Sequence, residues 1–341
     1  MNPAPLNHQN SLDALRLGAA MLVLYSHQHA VMGLPEPSFL GWNTWGGAGV
    51  SIFFALSGYL VWTSWQRDPR VVPFLVRRSL RIFPALWVVI LLSVLVLGPW
   101  ASFLGTQRYF EHPWTWRYLD NMVLSVVYGL PGVFPANALP GIVNGSLWSL
   151  PVEFICYLVL AAAGWSLLRT RAPTGVALAC MWWLAVAVAS FGTRIWGPAY
   201  ATHCEMVAFF AAGVLYGQLR HTPFDRWQWV MVVVGLVAFA GLGGRGPERT
   251  GMLLTALALV HGASVWVGGA GLGARLGDLS YGVYIYAFPV QQALAHGGQG
   301  KNWSFPSMLG LASGLTLLLA YLSWHGIEKQ ALSFKPRTGA T

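Results

Sequence analysis

The chain has 341 residues, of which 55% are apolar and only 9% charged, and its mean hydropathy is +0.54. Soluble domains carry charge on about a quarter of their residues, so this composition excludes an ordinary soluble protein and points to a polytopic membrane protein. The net charge of +9 does not argue for nucleic acid, because the basic residues fall between hydrophobic runs, as membrane orientation requires, rather than in a block.

The N-terminal MNPAPLNHQN lacks the basic residues of a cleavable signal peptide, so the first span is expected to stay in the mature protein. That span, residues 11 to 33 (SLDALRLGAAMLVLYSHQHAVMG), is long enough to cross a bilayer yet carries Asp13, Arg16, His27 and His29. Ionisable groups cost at least a few kcal/mol in lipid and are functional candidates by default. Arg16 and His27 are eleven positions apart, which at about 100° and 1.5 Å per residue sets them on one helix face about 16 Å apart. His29 points to the opposite side. A plainer reading is that Arg16 marks the cytoplasmic helix end and His27 makes a packing hydrogen bond, so the rest of the chain has to decide.

In the second span, WGGAGVSIFFALSGYL, the residues Gly47, Ser51, Ala55 and Gly58 form a small-residue face that admits a close neighbour, most simply the first helix. Next, RDPRVVPFLVRRSLRIFP holds five arginines, Arg67, Arg70, Arg77, Arg78 and Arg81. Arginine's planar fork suits phosphate oxygens, so Arg77, Arg78 and Arg81 are candidates to grip a phosphorylated cytosolic ligand; they also serve as a topology signal. The longest loop, residues 101 to 146, is expected outside, rich in aromatics, Gly and Pro, and suited to be a lid, an acceptor-binding surface or a packing element. The fourth span begins GSLWSLPVEFICYLVL, where Ser146, Ser149, Glu153, Cys156 and Tyr157 make a polar stripe; Glu153 needs a partner, for which Arg16 or His27 are the obvious candidates. His203, Glu205 and His261 are weaker signals.

Apolar windows place ten spans near 11 to 33, 44 to 65, 82 to 100, 147 to 168, 174 to 194, 203 to 219, 228 to 242, 251 to 268, 279 to 296 and 307 to 325. With the N-terminus inside, thirteen basic residues face the cytoplasm and six face out, Arg16 aside; this supports an all-α transmembrane bundle with both termini cytoplasmic. One domain over residues 1–341 is expected, with no appended soluble domain. The tryptophans near span ends, Trp42, Trp45, Trp65, Trp100, Trp196, Trp227 and Trp303, read as interface anchors. Cys156, Cys180 and Cys204 lie in apolar segments without metal-ligand spacing and are expected to be buried, inert thiols.

Six stretches taken together resemble the acyltransferase-3 family of integral membrane acyltransferases: Arg16 and His27 in LDALRLGAAMLVLYSH, GVSIFFALSGYL, RRSLRIFPALW, SLWSLPVEF, LGDLSYGVYIYAFPVQ and SWHGIEK. The resemblance covers almost the whole chain. It implies a ten-helix enzyme of the bacterial cytoplasmic membrane that moves an acyl group, commonly acetyl, from a coenzyme A thioester to a hydroxyl of a surface, exported or lipid-linked glycan. Acyl-CoA is then a co-substrate, with no bound cofactor and no metal. His27 matches the family's essential histidine, Arg16 its first-helix partner, and Arg78 and Arg81 its paired arginines; Glu153 is assigned beside His27, and Ser149, Tyr157 and Tyr284 to substrate binding. Where many relatives carry a ninth-span histidine this chain has Ala287, so a mechanism needing that histidine does not apply. The competing class is a transporter or channel-like component of polysaccharide export, for which intramembrane polar groups also serve. Paired broken helices in two halves are its signature, whereas here the polar residues concentrate in the first four spans.

Overall fold

A computed structural model of the protein describes residues 11–170, 174–220, 222, 224–242, 246–266, 277–300 and 303–336. Among them ten helices of sixteen residues or more follow in order: α1 (Leu12–Val31), α2 (Trp45–Arg67), α3 (Val71–Ala101), α4 (Ser149–Thr170), α5 (Thr174–Trp196), α6 (Ala201–Leu219), α7 (Arg226–Gly241), α8 (Gly246–Val265), α9 (Ser280–Gly297) and α10 (Phe305–Ser333). Each predicted span falls on one of them. By length and composition five, α2, α3, α4, α5 and α10, are able to cross a membrane. A two-stranded hairpin, β1 (Ser38–Phe39) and β2 (Asn43–Thr44), joins α1 to α2.

The largest boundary difference is in α3, which begins at Val71 rather than near residue 82. A hydropathy window rejects the turns carrying Arg77, Arg78 and Arg81, but those side chains leave the backbone free to stay helical because they find polar surroundings inside the bundle. Both α3 and α10 contain a π-helical turn, Ser93–Leu97 and Trp324–Glu328. Such a turn inserts one extra residue and re-aims its neighbours.

Helix α2 is the most enclosed of the candidate spans. Its small residues divide between two neighbours instead of all facing α1. A Cβ added at Gly49 would lie 2.5 Å from the Ala19 carbonyl oxygen of α1, whereas Gly58 meets the Phe210 carbonyl and Gly213 of α6 meets that of Ala55. The Ala55–Gly58 part of the face therefore seats α6, with backbones in direct contact. Trp65 also departs from its expected role: it is buried, with Gly164 against its ring and Phe74 edge-on at 5.2 Å, while Trp100, Trp196 and Trp227 are exposed as anchors are. Cys156 and Cys204 are buried, but Cys180 is exposed on the outer face of α5.

The segment between α3 and α4 is folded. It holds short helices Thr106–Glu111 and Pro113–Arg117, a 3-10 run Tyr118–Val123, and single bridges pairing Ser102 with Val133 and Gly129 with Ile142. Its seat on α9 has a local cause. Pro289 has no N–H to give to the carbonyl four residues back, Ile285, and Asn144 Nδ2 donates to that orphaned oxygen at 2.9 Å. Gln292 of α9 then donates to the carbonyls of Leu139 and Ile142 at 2.8 and 2.7 Å.

At the turn from α2 to α3, Asp68 is buried and accepts from Arg70 Nε at 2.6 Å and Arg77 Nη1 at 2.7 Å. The Arg70 hydrogen bond, opposed by burial and helped by Arg77, holds its pKa down at about 2. A carboxylate with a depressed folded pKa stabilises the fold above its unfolded pKa, about 3.9, and loses that contribution as pH falls towards 2. Thermal melts of detergent-solubilised protein between pH 5 and pH 2 are expected to fall more steeply for the native chain than for Asp68→Asn. Parallel curves would remove this ion pair from the acid sensitivity.

Candidate active site

Helices α1, α2, α3, α4, α9 and α10 enclose a cavity of about 600 Å³. All the residues assigned from sequence except His27 line it: Arg16, Arg77, Arg78, Arg81, Ser149, Glu153, Tyr157 and Tyr284. Its cationic end is organised by a residue that sequence reasoning left without a role, Asp278, just before α9. Asp278 accepts from Arg16 Nη1 at 2.9 Å, Arg81 Nη2 at 2.5 Å and Ser280 Oγ at 2.5 Å. Burial opposes its charge, but Arg81 and Arg16 outweigh burial and hold its pKa well below the usual carboxylate range. Arg16 also reaches Asp13 at 3.3 Å. Arg81 lies 3.9 Å from Glu328 and 5.9 Å above the rings of both Tyr281 and Trp324; Glu328 and Trp324 are brought in by the π-turn of α10.

The remaining cations differ in how free they are. Arg77 reaches the cavity wall, but its guanidinium is bound to Asp68 and is nearly buried, which leaves it less able to hold a ligand than the sequence suggested. Arg78 makes no ion pair among the described residues, and its buried Nε has no hydrogen-bond partner. Lys335, beyond α10, faces the same cavity without an acidic partner there. Two cations thus point into a cavity whose acids are already engaged.

Across the cavity, Glu153 accepts from Ser57 Oγ at 2.8 Å and from the Tyr157 hydroxyl. Its partners are these hydroxyls, not Arg16 or His27: Arg16 lines the same cavity but is bound to Asp278, and α2 presents Ser57 to the carboxylate. The far end is closed where the Ser149 and Tyr284 hydroxyls meet at 2.5 Å and Tyr284 donates to the Ser146 carbonyl at 3.0 Å.

His27 lies beyond that closure and does not line the cavity. Its ring meets Phe288 edge to face at 5.0 Å, and its Nδ1 is buried without a hydrogen-bond partner. Phe288 follows Tyr284 by one turn of α9, so the imidazole sits about 6 Å past the cavity's end along the helix axis. The ring is turned into the bundle and away from lipid, but the groove from the arginines stops one turn short of it. His29 packs on Phe305 at 4.3 Å, His203 on Trp148 at 4.7 Å, and His261 pairs with the Tyr216 hydroxyl at 2.8 Å; none of the three lines the cavity.

Asp278, Ser57 and Lys335 are cavity residues that sequence reasoning missed, as was Glu328, which stands behind Arg81. Asp278 and Glu328 stand inside the stretches LGDLSYG and SWHGIEK. The available signal was that Arg16 and Arg81 both require counter-ions inside a bundle.

The sequence profile of the acyltransferase domain matches residues 9–325. The chain is similar to an O-acetyl transferase of Shigella phage Sf6, 31% identical over 96% of this chain and 97% of the relative. It is also similar to nodulation protein 10 of Rhizobium leguminosarum bv. viciae, 28% identical over 96% and 94%, and to the exopolysaccharide production protein ExoZ of Rhizobium meliloti, 27% identical over 82% and 85%. No solved structure matches it. A match running from the helix of Arg16 and His27 to the π-turn that brings Trp324 to Arg81 takes in nearly every wall of the cavity, and on that ground the chain belongs to the acyltransferase-3 family.

Proposed function

We propose that this chain is an O-acyltransferase of the bacterial cytoplasmic membrane, crossing it ten times with both termini inside, that moves an acyl group, most simply acetyl, from acyl-CoA to a carbohydrate hydroxyl. The observation that carries the reading is the pair of cations, Arg78 and Lys335, that have no ion pair among the described residues and face a cavity of about 600 Å³. A nucleotide with several phosphates complements that charge, and a narrow acyl-bearing arm suits the apolar walls of Val50, Phe53 and Leu56. The family's relatives named for O-acetyl transfer and exopolysaccharide production supply the acetyl group and the carbohydrate.

In this mechanism the acceptor hydroxyl gives its proton to His27 as its oxygen attacks the thioester carbonyl. The tetrahedral intermediate then expels the coenzyme A sulfur, which takes up the proton. His27 lies past the Ser149 and Tyr284 hydroxyls, so donor binding has to part that pair for the thioester to reach the imidazole. Arg16 stays with Asp278 and lines the donor's path, and Glu153 fixes Ser57 and Tyr157 along the wall.

The test is incubation of purified protein with radiolabelled acetyl-CoA and base-deacetylated surface polysaccharide, reading free thiol and acetylated product together. Equal yields of both are expected; solute movement in proteoliposomes without thiol release would support a transporter instead. Hydrogen bonds to charged groups contribute about 1.5–3 kcal/mol each. Arg78→Ala and Lys335→Ala are therefore each expected to weaken CoA binding roughly tenfold to a hundredfold, with less effect on turnover at saturating donor. Unchanged CoA affinity in both variants overturns the donor assignment.

A further inference from the structure

A second concave site lies at the opposite end of the bundle. Along α3, Ala101 is twenty residues past Arg81, about 30 Å at 1.5 Å per residue, which is also the thickness of a bilayer's hydrocarbon core. There the segment after α3 forms an open cleft of about 700 Å³ whose walls include Phe103, His112, Trp114, Arg117 and Tyr128. Phe103, Trp114 and Tyr128 expose 70%, 53% and 43% of their surface. The Arg117 guanidinium stands 4.7 Å over the Trp114 ring, and the Trp114 backbone N–H donates to His112 Nδ1 at 3.2 Å, so the imidazole caps the helix that carries the indole.

Anchoring in lipid accounts for exposed aromatics scattered round a helix end, but not for three of them walling a cleft together with a guanidinium and an imidazole. The back wall is also tied to the His27 region. Gly129 bridges to Ile142, and the Val143 N–H donates to the Tyr128 carbonyl at 2.8 Å. Two residues on, Gly145 packs under the Phe288 ring against which His27 rests.

We propose that this cleft is a subsite for a pyranose unit of the glycan acceptor, stacked on Trp114 and hydrogen-bonded by Arg117 and His112. A sugar ring has an apolar face of C–H groups and a rim of hydroxyls, which an indole face flanked by two polar side chains complements. The site sits beyond the His27 level from the cationic cavity, so a glycan held here approaches the imidazole from the end opposite the donor. The inference rests on the acyltransferase reading for its acceptor but makes a separate claim about binding.

The experiment uses oligosaccharides cut from base-deacetylated surface polysaccharide of the cells that express the chain. Saturation-transfer NMR without donor is expected to show the fragments bound to the native protein and lost in Trp114→Ala. In the transfer assay Trp114→Ala and Arg117→Ala are each expected to raise the acceptor KM about tenfold with kcat little changed, and Trp114→Phe to recover most of the affinity. Trp229→Ala, an exposed tryptophan of α7 away from the cleft, serves as the lipid-anchor control. An unaltered acceptor KM in both folded cleft variants, or a loss in Trp114→Ala matched by the control, overturns the proposal. If the native protein transfers no acyl group, the enzymatic reading fails, while NMR binding abolished by Trp114→Ala still supports the subsite.

Discussion

His27→Ala is expected to lower acyl transfer by about 10²- to 10⁴-fold, the range that a positioned general base supplies, while CoA binding stays as in the native protein. The separation of the two effects follows from geometry: the imidazole lies outside the cationic cavity, past the Ser149 and Tyr284 closure. Loss of the ring also removes an edge-to-face contact with Phe288, worth about 0.5–1.5 kcal/mol, so some loss of stability accompanies the change. His27→Phe keeps an aromatic edge on Phe288 but has no base, and is expected to be as inactive as the alanine variant with a melting temperature nearer the native one. Turnover in His27→Phe comparable to the native chain would sink the base assignment whatever the alanine variant did.

Replacing Asp278 by asparagine is expected to have the largest effect on stability, about 3–5 kcal/mol, because it strands two guanidiniums in the bundle at once. Glu328, 3.9 Å from Arg81, compensates only in part, and Asp13 holds Arg16 from an exposed position. The sign of the pH effect is that of a carboxylate held below its usual range: Asp278 stabilises the fold above its unfolded pKa, and the contribution fades in acid. Denaturation in detergent checks the magnitude. A cycle pairing Asp278→Asn with Arg81→Met is expected to give a double variant less destabilised than the two single losses added together, since removing the second partner relieves the unpaired charge. Additive losses would mean that the pair is not coupled.

Much of the architecture was legible because apolar length and helical periodicity are local properties. Ten apolar runs announced ten helices, the spacing of Arg16 and His27 announced a shared face, and the stripe from Ser149 to Tyr157 announced a helix with a polar side. The cavity arginines were visible as types, since five guanidiniums in fifteen residues exceed what orientation needs. The exposure of Cys180 was not visible, because a helix apolar all round does not say which side meets lipid.

What the sequence by itself determined, then, is which segments are helical and which of their residues need company. Only the tertiary structure decided who provides it. Arg16 finds Asp278, 262 positions away, and Arg81 shares the same carboxylate, while Arg77 is captured by nearby Asp68 and Arg78 has no ion pair among the described residues. Glu153 turns to Ser57 of α2, and the segment between α3 and α4 finds its place through a carbonyl that Pro289 leaves without a donor. The physical reason is common to all of these: a charge or an orphaned backbone group is satisfied within about 3 Å, by whatever the fold carries there, and helical spacing fixes a residue's face but not its distance from another helix.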